Sequence, residues 1–152
     1  MINLRLPAIG LVLFLSCSHL QAQDTVPLNE PDLKKPLLFE QFPSRIAIEE
    51  STIQSILAME PGASVSISMG KTSLEGSIIS STLKYNNIRS VIVRSSNFNG
   101  ATLTLSSSTQ TNGTVKLTGR LLSMQHGDLY ELQRVNEQYY LIKKNFYDVI
   151  NE

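Results

Sequence analysis

Residues 102–118 read Thr-Leu-Thr-Leu-Ser-Ser-Ser-Thr-Gln-Thr-Asn-Gly-Thr-Val-Lys-Leu-Thr. Leu103 and Leu105 alternate with Thr102, Thr104 and Ser106. Val115 and Leu117 alternate with Thr114, Lys116 and Thr118. A period of two puts the apolar side chains on one face of a strand and the hydroxyls on the other. Between the two runs stands Asn112-Gly113, the strongest short hairpin signal, because both residue types tolerate positive φ. This stretch therefore reads as a hairpin with one apolar and one hydroxylated face, and it places the chain in the mainly β class.

The same period extends outward in both directions. Val65, Ile67 and Met69 alternate with Ser64, Ser66 and Ser68. Turn signals at Gly70-Lys71, Tyr85-Asn86-Asn87, Asn97-Phe98-Asn99-Gly100, His126-Gly127-Asp128 and Asn136-Glu137 divide the chain into strands near 63–69, 73–81, 88–96, 100–108, 114–124, 127–134 and 138–144. Short turns pair each strand with its sequence neighbour, so about seven strands form an antiparallel meander. Twist curls such a meander into a small barrel or a sandwich. Val91-Ile92-Val93 and Leu121-Leu122 are apolar on both faces, which marks central strands or strands covered by a helix. Gly76 and Gly119 inside strands mark bends or bulges.

Before the β region the period changes. Ile53, Ile56 and Leu57 share one face of a short N-terminal helix between Glu49 and Glu60, which Pro61-Gly62 ends. Glu49 and Glu50 sit where the helix dipole favours negative charge. Arg45-Ile46-Ala47-Ile48 has the alternation of a short strand. At the other end, Phe146 to Ile150 fits a short C-terminal helical turn.

The first 22 residues read as an export signal. Arg5 precedes the apolar run Ala8–Leu15, and Leu20-Gln21-Ala22 offers a small residue for cleavage before Gln23. The run is shorter than the ~20 residues that span a bilayer as a helix, so no membrane span is expected. Phe14-Leu15-Ser16-Cys17 gives an alternative: a lipoprotein signal in which Cys17 carries the lipid anchor. The two readings place the protein as secreted or periplasmic, or as an outer-membrane-associated bacterial lipoprotein. Residues 23–40, with Pro27, Pro31 and Pro36, read as a flexible linker. Leu37, Leu38, Phe39 and Phe42 mark where it docks. Residues 41–152 form a single β-rich domain.

Composition limits function. The one cysteine is Cys17, there is no tryptophan, and of two histidines only His126 lies beyond the signal. Of 13 basic and 13 acidic residues only Arg5 falls in the signal, so no basic excess recommends nucleic acid as a partner. His126-Gly127-Asp128 with Glu131 falls short of the three or four ligands of a zinc site. It reads instead as a turn in which Asp128 bonds local backbone. Ser123 or Ser106 with His126 lacks the Gly-x-Ser-x-Gly elbow of a serine hydrolase. No cofactor, metal or catalytic residue is therefore expected. The candidate contact surface is the hydroxylated sheet face with Thr102 and Thr104, joined by Tyr139 and Tyr140, whose rings point to opposite faces. The expected function is binding or structural support, with an unknown protein or cell-surface ligand as partner.

One resemblance supplies a second function. The apolar helix Ile53–Leu57, then Pro61-Gly62-Ala63-Ser64-Val65, then Gly76-Ser77-Ile78, resembles pro-segments that precede secreted metallopeptidases. It implies an inhibitory regulator of an extracellular peptidase. The zinc-binding His-Glu-x-x-His pattern and a cysteine switch are both missing here.

Overall fold

Alternation of apolar and polar residues is clearest along Ser64–Ser68 and Ala101–Thr109 in the computed structural model, which describes residues 35–146. The strands are β1 (Arg45–Ile48), β2 (Ser64–Ser68), β3 (Ser73–Lys84), β4 (Ile88–Ser95), β5 (Ala101–Thr109), β6 (Val115–Ser123), β7 (Asp128–Val135) and β8 (Gln138–Asn145). Among the described residues one helix, α1 (Glu50–Leu57), lies between β1 and β2. All eight strands belong to one antiparallel sheet, ordered β1-β8-β7-β6-β5-β4-β3-β2 and curled into a half-barrel.

The meander from β2 to β8 follows the expected turns. The expectation of about seven strands is corrected to eight, because Arg45–Ile48 joins the sheet. Ile46 and Ile48 are buried there while Arg45 and Ala47 face out. This strand pairs with β8, from Arg45 opposite Ile142 to Ile48 opposite Tyr139, so the first strand lies beside the last. The expected C-terminal helical turn lies outside the described residues except for Phe146.

The concave face holds the core. Val65, Ile67, Val91, Val93, Leu103, Leu105, Leu121 and Leu141 point inward and are buried. Helix α1 covers them with Ile53, Ile56 and Leu57, packing against β4 and β5. Arg89 donates from its guanidinium to the Leu57 carbonyl at 3.0 Å, placing a cation at the negative end of the helix dipole. The turn from Val135 to Gln138 is tight: Asn136 and Glu137 have φ of 49° and 67°. Positive φ at two central residues is the hairpin geometry whose twist suits the flanking strands.

The two strand glycines sit where the sheet departs from regularity. A Cβ on Gly76 would collide with the Arg94 carbonyl oxygen. Just beyond it, between Ile78 and Ser80, the β3–β4 register shifts and Ile79 is left without a cross-strand partner. A Cβ on Gly119 would lie 2.6 Å from Leu105 Cδ2 and 2.9 Å from the Thr104 carbonyl oxygen.

Residues 38–43 cross the concave side at one end of the sheet. Phe39, inside the stretch read as linker, is fully buried against the rings of Phe42, Phe98 and Tyr130. Leu37 remains largely exposed.

Candidate functional site

Cross-strand register defines the outer, convex face row by row. One row runs Ser80, Ile92, Thr104, Arg120, Glu131, Ile142, Arg45 across seven neighbouring strands. A second runs Arg94, Thr102, Leu122, Leu129, Lys144. A third runs Lys84, Ile88, Ser108, Lys116. Hydroxyls fill the spaces between, with Ser90 and Ser106 hydrogen-bonded to each other at 2.8 Å.

A cleft of about 500 Å³ opens on this face. Thr102, Thr104, Ser106 and Thr118 line it, with Arg120 and Glu131 at one end. It forms because the ladder between β6 and β7 is short. The two strands pair only from Arg120 opposite Glu131 to Ser123 opposite Asp128. From Gly119 back to Val115, β6 keeps its pairing to β5 but has no ladder partner on the β7 side. At the point of divergence Arg120 Nη2 stands 3.5 Å from Glu131 Oε1, and Gln133 Nε2 donates to Glu131 Oε2 at 2.9 Å.

Thr102 and Thr104 thus lie on the surface expected of them. Tyr140 also lies on the outer face, and its ring stacks under the Arg45 guanidinium, 3.6 Å from the centroid. Tyr139 does not join them. It is 4% exposed on the inner face, so its ring belongs to the core. Cys17 lies outside the described residues.

The charge on this face is uneven. Arg45, Lys84, Arg94, Lys116, Arg120 and Lys144 stand exposed at its outward strand positions, against Glu75 and Glu131. Hydrogen bonds from Ser73 Oγ and then Ser66 Oγ hold the Glu75 carboxyl below its ordinary range. A chain balanced in total charge therefore presents a cation-rich outer sheet face. Sequence reasoning missed this because it summed charge over the chain; strand parity at Arg94, Lys116 and Arg120 carried the signal.

The β6–β7 hairpin brings Ser123, His126 and Asp128 close together, but not as a relay. Ser123 Oγ lies 2.9 Å from His126 Nδ1 and is fully buried. Asp128 does not bond local backbone as expected. Its carboxylate accepts the N–H of Leu38 at 2.7 Å and of Phe39 at 3.0 Å. The reason is parity: the first residue of β7 points inward, toward the crossing segment. Tyr130 donates to the Pro43 carbonyl at 2.7 Å, and Lys143 Nζ donates to the carbonyls of Phe39, Glu40 and Phe42 at 2.6, 3.2 and 3.0 Å. These three inward side chains form a polar clamp around residues 38–43. Burial, and then the Asp128 charge, raise the Tyr130 hydroxyl to about 12. Among the described residues no group of three or more His, Cys, Asp or Glu side chains could hold a metal ion, and no helix is long and apolar enough to cross a membrane.

The half-barrel with its covering helix and clamped N-terminal segment defines the class only as a curled antiparallel β domain. Neither a known protein family, nor a curated protein, nor a solved structure matches this chain.

Proposed function

We propose that this is an exported, non-catalytic binding domain of a bacterial cell envelope, which meets its partner through the outer face of the sheet. The observation that carries this reading is the cleft at the end of the β6–β7 ladder. It joins a hydroxyl-rich lining to a cationic surround and an incompletely paired strand. Bulk apolarity does not distinguish such an interface from the rest of a protein surface. The absence of catalysis is supported by the hairpin that concentrates the titratable groups. Ser123 is buried beneath its histidine, and the Asp128 carboxylate is already occupied by two backbone donors. Export is supported by the Arg5, Ala8–Leu15 and Ala22 layout.

The test is chemical cross-linking of residues 23–152 to proteins captured from the cell envelope, read by mass spectrometry. Lysine-directed links at Lys116 and Lys144, on the outer face, are the expected result. Links confined to Lys71, in the turn between β2 and β3, would overturn the assignment of the face. Hydrolysis of peptide, ester or glycoside substrates that disappears in His126→Asn would overturn the non-catalytic reading.

A further inference from the structure

The cleft points to the kind of partner. On its β6 side, five consecutive residues from Val115 to Gly119 run as a regular strand with ladder bonding to β5 alone. A strand edge presents N–H and C=O groups at fixed spacing, and an added extended chain satisfies them by main-chain hydrogen bonds. A sugar or lipid headgroup has no such repeat. The inner-facing position at the open end, Val115, is 43% exposed although its counterparts Leu117 and Leu121 are buried. It is the terminal paired position of β6, opposite Thr109. On the outer side Lys116 and Arg120 flank Thr118. The one acid lining the cleft, Glu131, is engaged by Arg120 and Gln133.

We infer that β6 accepts an extended, acidic segment of a partner polypeptide, added as a strand along Val115–Thr118, where β7 has diverged. Side chains of such a segment alternate between faces. Acidic residues on its outer side meet Lys116, with Arg120 at the end of the same row, and an apolar residue on its inner side covers Val115. This inference rests on the binding-domain reading and narrows its partner to one chemistry.

The probe is a synthetic peptide of about eight residues, the span of an ordinary strand, alternating Glu and Val and blocked at both ends. Binding is read by amide shifts in the protein. The expected result is saturable shifts at Val115–Thr118, weakened about tenfold or more when the peptide's backbone is N-methylated at the positions of one parity and little changed for the other parity. The peptide with Lys in place of Glu binds far more weakly, and so does the original peptide to Lys116→Glu. Lys116 is exposed, and an unchanged melting temperature confirms the variant's fold. Equal binding of both N-methylated series would overturn strand addition while leaving the binding-domain reading intact. Equal binding of the Lys peptide would overturn the acidic specificity. Heparin shifting these amides where no peptide does would assign the face to an anionic polysaccharide and overturn the proposal. The broader reading fails separately, when no partner cross-links to the outer face.

Discussion

Asp128 and Phe39 stand 89 positions apart in the chain and are joined by a 3.0 Å hydrogen bond from the Phe39 N–H to the Asp128 carboxylate. The other carboxylate oxygen takes the neighbouring N–H of Leu38. One side chain at the start of β7 therefore fixes the segment that delivers the Phe39 ring to the core. Without it, two backbone donors next to a buried aromatic lose their acceptor. Asp128→Ala is expected to destabilise the domain by roughly 1–3 kcal/mol, the range for leaving a buried donor without its acceptor. Asp128→Asn keeps one carbonyl acceptor and should lose about half as much. Chemical denaturation of the three proteins checks the order. Equal stability of wild type and Asp128→Ala would mean that Phe39 is held by its ring contacts alone.

The same clamp gives a pH dependence at the alkaline end. The folded state raises the Tyr130 hydroxyl to about 12, whereas an unfolded tyrosine ionises near ~10. The folded protein thus holds this proton more tightly than the unfolded chain. The corresponding stability is fully present below about pH 10 and is lost as pH rises toward about 12. Above that range the phenolate can no longer donate to the Pro43 carbonyl. An alkaline absorbance titration should show a phenolate component near 12 that is missing from Tyr130→Phe. A Tyr130→Phe trace with the same last component would assign that ionisation to another tyrosine.

Register within the founding hairpin is open to a direct check. Leu103 and Leu105 are fully buried, and Thr104 between them is exposed. Leu103→Ala should cost about 2–5 kcal/mol, while Thr104→Ala should stay within about 0.5 kcal/mol. The reverse order would place the hydroxylated face against the core, since a slip of one residue exchanges the two faces.

Residues 102–118 made the β class, the meander and this register legible, because alternation and Asn-Gly turns are local signals. What escaped was set by contacts distant in sequence. Asp128 looked like a turn residue because nothing local reveals that Leu38 and Phe39 will arrive beside it. Tyr139 and Tyr140 were known to face opposite ways, but which was inside depended on the pairing of β8 with β1. Strand parity predicts that Arg120 points outward. It does not predict that the β6–β7 ladder ends there, and the cleft depends on that end. Gly119 was readable as a bend, but not the neighbour that its missing side chain makes room for.

That neighbour separates the two strand glycines. A Cβ at Gly119 meets Leu105 Cδ2, the end of a flexible side chain, and approaches the Thr104 carbonyl oxygen at 2.9 Å. A Cβ at Gly76 meets the Arg94 carbonyl oxygen more closely still, with Val93 Cγ1 at 3.1 Å beside it. A leucine methyl can rotate away, whereas a carbonyl in the β3–β4 ladder moves only with its strand. Neither glycine requires a positive φ, so alanine is opposed here by space alone. Gly119→Ala should cost about 1–3 kcal/mol, the usual range for overpacking. Gly76→Ala should cost more, because relieving it means shifting β4 against the adjacent bulge. Adding Leu105→Val to Gly119→Ala shortens the clashing side chain and should recover part of the loss. It should recover nothing in Gly76→Ala, where Leu105 is not the obstacle. Melting curves of the single and double variants decide it. Recovery in both backgrounds, or in neither, would show that Leu105 does not define the space beside Gly119.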